Sequence, residues 1–427
     1  MDRKYQESEI EWIGRIPETW KILPHKRIMR KTKEICFTYN NEDIISLTTN
    51  GVIIRDLSAG GKMPTTFDGY QYVHPGNLLM CLFDIDVTPR CVGLIRNEGL
   101  TSPAYSQFKF VRKDAYAPYF DYLLRYMDDE KCLLHLSKNL RSSLTEEDFG
   151  FIYTILPPFR EQQRIVSYLN EKCGEIDSLI GLQEQMIEKL KAYKQSVITE
   201  AVTKGLDPKA QLVPSGIDWI GEIPEGWKVI KTKYIADKIY KGNGITKDEV
   251  FVDGDTPCVR YGEIYSKYTQ AFKTCFSATN IDIQKSPQLF HYGDILCAGT
   301  GELVEEIGKS IVYLGSQECL AGGDIIVIQH HQNPSFLNYA LNSNYAQTQK
   351  SRGKAKLKVV HISAFEIGST FILLPPLTEQ QTIASYLDEK CADIDRLIGL
   401  KQRKIESLKN YKKSVIYEAV TGKTIIE

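Results

Sequence analysis

Two blocks of positive charge are the residues in this sequence best placed to do chemistry. Lys21, Lys26, Arg27, Arg30, Lys31 and Lys33 lie in a stretch without a single acid, and Lys350, Arg352, Lys354, Lys356 and Lys358 form a second acid-free run around Gly353. The place matching the second run in the first half of the chain is Lys138-Asn139-Leu140-Arg141-Ser142-Ser143. Such clusters neutralise phosphates and fix register on a nucleic-acid duplex. A solvated charged face is the competing reading, and for residues 21–33, part of which fits an amphipathic helix, the choice is open. Reading base edges takes Arg, Asn, Gln, Ser or Thr on loops that enter a groove. Thr48-Thr49-Asn50, its counterpart Val259-Arg260-Tyr261, and the loop Lys241-Gly242-Asn243 have that chemistry. An Asn beside a Gly is also an ordinary turn residue.

A second kind of chemistry competes. Asp294-Ile-Leu-Cys-Ala-Gly299-Thr-Gly301 resembles the Gly-rich loop with which amino-methyltransferases hold S-adenosylmethionine, and Asn333-Pro334-Ser335-Phe336 resembles their amine-binding loop. Three observations weigh against a self-sufficient DNA adenine methyltransferase. The Gly-rich loop should open a helix, but another β-like run, Ser310-Ile-Val-Tyr-Leu314, follows soon after. The Asn-Pro segment aligns with Ala117-Pro118-Tyr119-Phe120, so a capped helix start explains it more simply. The two elements also stand too close together to hold most of a doubly wound domain. The sequence has no P-loop, no GxSxG elbow and no HExxH, so no catalytic residues are expected. The ten cysteines form no CxxC pair and the seven histidines no ligand spacing, so no metal is expected and the thiols are expected to be reduced.

The elements that must position these residues come in duplicate. Trp12-Ile-Gly-Arg-Ile-Pro-Glu-Thr-Trp20 recurs as Trp219-Ile-Gly-Glu-Ile-Pro-Glu-Gly-Trp227, and residues 155–205 recur as 373–423 with 32 identities in 51 positions and no gap. The chain is therefore two copies of one unit, each with a Trp-rich opening motif, a variable region and a near-identical segment. The variable regions share architecture but little sequence, with short β-like runs and helix starts at Pro118 and Pro334, which predicts two mixed α/β domains. The fold class is therefore α+β.

The near-identical segment predicts a long helix. It follows Pro157-Pro158 and Pro375-Pro376, which stop whatever precedes them. In the second copy Thr378-Glu-Gln-Gln381 matches a capping box. Apolar residues keep a heptad: Leu169, Ile176, Leu190 and Val197 on one line, Cys173, Ile180, Ile187 and Ala201 on the other. Leu387, Ile394, Leu408 and Val415 repeat the first line, and Cys391, Ile398, Ile405 and Ala419 the second. Polar residues interrupt both copies alike, at Gln183 and Lys401 and at Lys194 and Lys412, and such core polar positions set register at a cost in stability. Pairing the two stripes predicts an antiparallel coiled coil with pseudo-two-fold symmetry, about 65 Å long at 1.5 Å per residue. Separate burial of each helix against its own domain is the alternative.

A formal net charge of −1 argues against a chain whose whole surface tracks phosphate, without excluding local basic patches. No apolar run is long enough for a membrane span. The charged start, MDRKYQESEIEW, lacks the apolar core of a secretory signal, so a cytoplasmic protein is expected.

Taken together, the motifs make the chain resemble the specificity (S) subunit of type I restriction-modification systems. The resemblance rests on two copies of Trp-Ile-Gly-x-Ile-Pro-Glu-x-Trp, a variable region after each, and then Leu-Pro-Pro-x-x-Glu-Gln-Gln-x-Ile-x-x-Tyr-Leu continuing through Ile-Asp-x-Leu-Ile-Gly-Leu to Glu-Ala-Val-Thr. It implies target recognition domains at 1–153 and 206–371 and conserved spacer helices at 154–205 and 372–427. Each recognition domain would read one half of a bipartite, asymmetric site in double-stranded DNA. The helices would dock two modification (M) subunits, which carry S-adenosylmethionine, while restriction (R) subunits supply ATP- and Mg-dependent translocation and cleavage. The S subunit would itself be non-catalytic. The DNA candidates are then Lys31, Lys33, Thr48, Thr49, Asn50, Lys138, Asn139, Arg141, Lys241, Arg260, Tyr261, Lys350, Arg352, Lys354, Lys356 and Lys358. For M-subunit contact they are Gln162, Gln163, Tyr168, Tyr193, Gln380, Gln381, Tyr386 and Tyr411, which could equally brace each helix onto its own domain. A scaffold that only assembles partners, without touching DNA, is the remaining alternative.

Overall fold

Two strand pairs close the two domains and lead the chain into its long helices. Lys21–Pro24 pairs antiparallel with Tyr153–Leu156, and Lys228–Lys231 pairs in the same way with Phe371–Leu374. Each second strand runs into a Pro-Pro step and then a helix, Phe159–Lys204 or Leu377–Val420. The computed structural model describes residues 3–59, 64–88, 90–137, 142–217, 220–283, 286–301, 303, 306–354 and 360–426. Two compact units emerge: Met1–Glu184 with Arg403–Glu427, and Gln185–Gln402. Their limits fall inside the long helices, because each domain buries apolar surface on the near part of one helix and the far part of the other.

In the first unit an antiparallel sheet carries Met29–Thr32, Ser106–Phe110, Leu78–Met80 and Val92–Leu94 in that order. Helix Ala117–Asp129 lies on it, with Phe120 against Phe110 at 5.4 Å between ring centroids. Trp20, Tyr119, Phe120 and Phe149 share one core with Ile165, Leu169 and Cys173 of the first long helix and Val415 and Ala419 of the second. In the second unit a mixed five-stranded sheet runs Ala236–Lys241, Ile325–His330, Ile295–Ala298, Ser310–Tyr313, Ala271–Phe272. A four-stranded sheet runs Ser277–Thr279, Thr256–Val259, Cys319–Ala321, Leu289–Phe290, with the central pair parallel. Burial of both faces explains the unbroken apolar runs in Ile295–Ala298 and Ile325–Ile328.

The helices pair antiparallel within each unit. In the first, Asp177 meets Lys412 while Leu169 and Cys173 share a core with Val415 and Ala419. In the second, Lys194 meets Asp395 while Val197 and Ala201 share a core with Leu387 and Cys391. The heptad stripes are buried at Leu169, Cys173, Ile176, Leu387, Cys391 and Ile394 and half-buried at Ile180, Leu190, Ile398 and Ile405.

The expected capping box does not form. The second helix already begins at Leu377, and the Glu379 and Gln380 amides donate to the Pro376 carbonyl at 2.9 and 3.0 Å. Thr378 therefore lies inside the first turn, where its own carbonyl accepts the Thr382 hydroxyl. Residues 21–33 are not helical either. They form two strands joined by the 3-10 turn His25–Arg27, because His25 is buried against Phe149 rather than solvated.

Candidate nucleic-acid interface

The repeat first builds a rigid frame. Trp20 ends the opening motif, and its indole N–H donates to the Glu161 carboxylate at 3.0 Å. Trp227 does the same to Glu379 at 3.1 Å. The two signature motifs of each copy are thus tied together, a relationship signalled in sequence only by the joint recurrence of Trp and Glu. Gln162 and Gln380 complete the frame. The Gln162 amide donates to the Pro157 and Asp114 carbonyls and its oxygen accepts from the Tyr116 amide, all at 2.7–2.8 Å. The Gln380 amide donates to Pro375 and Gln332, and its oxygen accepts from the Asn333 amide. Both side chains are buried, at 0 and 1% exposure. Of the two readings of these glutamines, bracing is therefore correct and partner contact is not, because no polar atom is left to offer. Gln163, Gln381, Tyr193, Tyr386 and Tyr411 are exposed and Tyr168 half-buried. Tyr193 and Tyr386 line one cleft of about 500 Å³.

The basic candidates separate by environment. Lys350 is 3% exposed and donates to the Gly308 and Leu341 carbonyls at 2.8 and 2.9 Å. Burial pulls its pKa down to about 8, against a smaller opposing effect of Cys297. Its assignment to DNA is therefore wrong: helix Asn344–Lys350 turns this side chain into the domain. Lys354 is also withdrawn, with its side chain 13% exposed, its amine 2.8 Å from Glu366 and a hydrogen bond to the His361 carbonyl. Arg352 between them is exposed. Lys138, Asn139, Arg141, Lys356 and Lys358 lie outside the described residues. Lys33 is exposed, while Lys31 pairs with Glu146 and holds that carboxyl below the usual range.

The base-reading candidates sit on two different supports. Ile45–Thr48 and Gly51–Ile54 form a hairpin. The Thr48 hydroxyl donates to the Gly51 carbonyl at 3.0 Å and accepts from the Asn50 amide at 3.2 Å, so Thr48 shapes the turn. Thr49 and Asn50 are exposed at its tip. In the second unit Arg260 and Tyr261 follow strand Thr256–Val259 and border a cleft of about 560 Å³. Lys241 stands 2.6 Å from Asp324, and the Asn243 side chain donates to the Ser286 carbonyl.

The methyltransferase-like segments have structural explanations. At Gly299 an added Cβ would stand 2.9 Å from the Asp324 carbonyl oxygen, so this glycine permits a close backbone pass. Asp294 accepts from the His291 amide at 2.8 Å and from Gln329 at 3.2 Å. Asn333 caps helix Pro334–Asn342 through the Phe336 amide at 2.9 Å. Among the described residues no cluster of His, Cys, Asp or Glu could hold a metal ion, and no helix is long and apolar enough to cross a membrane.

The family model of the type I restriction modification DNA specificity domain matches residues 224–410. That segment, a little under half of the chain, carries the type I specificity domain. The type I restriction enzyme MjaVIII specificity subunit of Methanocaldococcus jannaschii is 28% identical over 278 residues, covering 63% of this chain and 61% of the relative. The chain thus spans about three fifths of that relative's length. A chain from a solved type I restriction-modification assembly has the same fold, with a TM-score of 0.69, 16% identity, and coverage of 95% of this chain and 98% of that one. The HsdS subunit from Thermoanaerobacter tengcongensis gives a TM-score of 0.50 at 17% identity, covering 96 and 98%. In this chain the duplicated Trp–Glu frame is the constant part, and the hairpin tip and the Arg260 cleft are the parts that differ between the two units.

Proposed function

We propose that this chain is the DNA-reading subunit of a type I restriction-modification complex, each variable domain recognising one half of a bipartite, asymmetric site. The observation that carries this reading is the contrast within the repeat. The frame contacts Trp20–Glu161 and Trp227–Glu379 are the same in both units. The groups at equivalent loop positions are not: an exposed Thr49-Asn50 hairpin tip in one, a half-buried Arg260 and an exposed Tyr261 in the other. A common frame carrying different hydrogen-bonding groups is what reading two unlike half-sites requires. Lys33 and Arg352 supply phosphate contact, and the exposed Tyr193, Tyr386 and Tyr411 supply contact to modification subunits.

In this proposal the chain is non-catalytic and works in the cytoplasm. The modification subunits bind S-adenosylmethionine and methylate adenine, and restriction subunits use ATP and Mg. Methylome sequencing of a host expressing this chain with its modification subunit tests the reading. A split motif with two unlike halves is the expected result. A continuous motif, or none, would overturn it. Isothermal titration of the purified chain with S-adenosylmethionine checks the division of labour, and tight binding by the chain alone would return the methyltransferase reading.

A further inference from the structure

The cleft in the second unit is built around one arginine. Arg260 leaves strand Thr256–Val259, and its backbone N–H donates to the Glu263 carboxylate at 2.9 Å. The other oxygen of that carboxylate is 3.7 Å from the Arg260 guanidinium and accepts the Ser277 hydroxyl. Glu263 is only 7% exposed, and a carboxylate so buried needs a cation beside it. The guanidinium is therefore held in place before any ligand arrives, yet its side chain remains 34% exposed toward the cleft. One donor is left over: the Arg260 Nε is shielded from solvent and has no hydrogen-bond partner.

The floor of the cleft is backbone. A Cβ at Gly322 would lie 2.8 Å from the Val259 carbonyl oxygen and 3.3 Å from the Arg260 Cα. At Gly323 it would lie 3.0 Å from the Gly244 Cα. These two glycines let two loops pass in contact, so that a side chain at either would push on Arg260 or on the facing loop. Lys267 is exposed on the rim. The result is a pre-set guanidinium in an open cleft, with Lys267 on its rim and the Asp324 carboxylate, also lining it, paired with Lys241.

We propose that Arg260 reads a guanine in the half-site of the second domain, with Glu263 as its positioning residue. This rests on the DNA-reading function proposed above. Guanine offers O6 and N7 on its major-groove edge, and the planar fork of an arginine matches both at once. Adenine would call for an Asn or Gln, and the Asn243 side chain is already committed to the Ser286 carbonyl. At the equivalent loop of the first domain the exposed groups are Thr49 and Asn50, so the proposal concerns one half-site only.

The test is to co-express the full chain with its modification subunit as wild type, Arg260→Lys and Arg260→Ala, and to map the methylated motifs. Melting temperatures of the three complexes are measured alongside. Arg260→Lys keeps a cation beside Glu263 but removes the two-pronged fork. The expected outcome is a motif that becomes degenerate at a single guanine of one half, with the other half and the gap unchanged. Competition binding should show discrimination at that base falling from roughly ten- to hundredfold to near none. A wild-type half-site without guanine, or a variant motif identical to wild type, would overturn the inference and leave the two-half reading standing. Loss of all modification with a lowered melting temperature in both variants would assign Arg260 to the scaffold alone and overturn it equally. A wild-type complex without a split motif would instead overturn the underlying reading.

Discussion

Lys412 donates to both carboxylate oxygens of Asp177 at 2.7 Å, from one long helix to the other within the first unit. Lys194 makes the same pair of hydrogen bonds to Asp395, also at 2.7 Å, in the second unit. The interrupted heptad positions Lys412 and Lys194 are thus one half of a repeated ion pair. Asp177 and Asp395 are more than half exposed, at 57 and 52%, so each pair contributes only about 0.2–1 kcal/mol. Its stronger effect is on register, since sliding either helix would separate the charges. Asp177→Lys should lower the unfolding midpoint in urea, and adding Lys412→Asp should restore it. A double-mutant cycle with no coupling energy would refute the register role.

The Trp–Glu contacts should matter more for stability. Trp227→Phe keeps most of the ring but removes the N–H that reaches Glu379 at 3.1 Å. A hydrogen bond to a charged acceptor is worth about 1.5–3 kcal/mol, so the variant should lose stability of that order in equilibrium unfolding. Glu379→Gln, which retains an acceptor, should lose less. Equal losses in the two variants would assign the effect to packing.

Lys350 predicts a pH dependence. Burial lowers its pKa to about 8 in the folded protein, below the 10.5 of a free lysine. Between those two values the unfolded chain holds the extra proton, so stability attributable to this group rises as pH increases from 8 to 10.5. Below pH 8 both states are protonated and the full cost of burying the charge applies. Lys350→Met should therefore flatten the stability profile over that window relative to wild type. Parallel profiles above pH 8 would contradict this assignment.

The surviving DNA candidates carry separate signatures. Arg352→Ala should weaken binding evenly across sequences and reduce the slope of log affinity against log salt by about one. Thr49→Ala with Asn50→Ala should instead relax one half-site and leave the salt slope unchanged. Mobility-shift titrations over a salt series distinguish the two, and a shared outcome would mean that the hairpin tip touches only the DNA backbone.

His25 gives a check at acid pH. Its ring stacks on Phe149 at 4.4 Å, and burial lowers its pKa to about 4. The unfolded chain binds the proton first as pH falls from 6.5, so stability tied to His25 should drain away between pH 6.5 and 4. His25→Phe should lack that component, and an unchanged acid limb in the variant would count against it.

The sequence by itself determined the duplication, the two long helices and their heptad stripes, because each is a periodic or repeated pattern that one strand of text displays. The helix starts at Pro118 and Pro334 were equally legible, since proline cannot sit deeper in a helix without losing a hydrogen bond. Tertiary structure decided which polar residues face outward. Lys350 and Arg352 stand two positions apart in one basic run, yet Lys350 turns inward to carbonyls of Gly308 and Leu341, which come from elsewhere in the chain. Gln162 and Gln163 are neighbours, yet only Gln162 is consumed by the Pro157 and Asp114 carbonyls. The same holds for Arg260, whose orientation depends on Glu263, Gly322 and Gly323 meeting in space. Charge and spacing are local properties that a sequence states outright. Burial is set by whichever distant segment folds over a side chain, and only the packed domain supplies that segment.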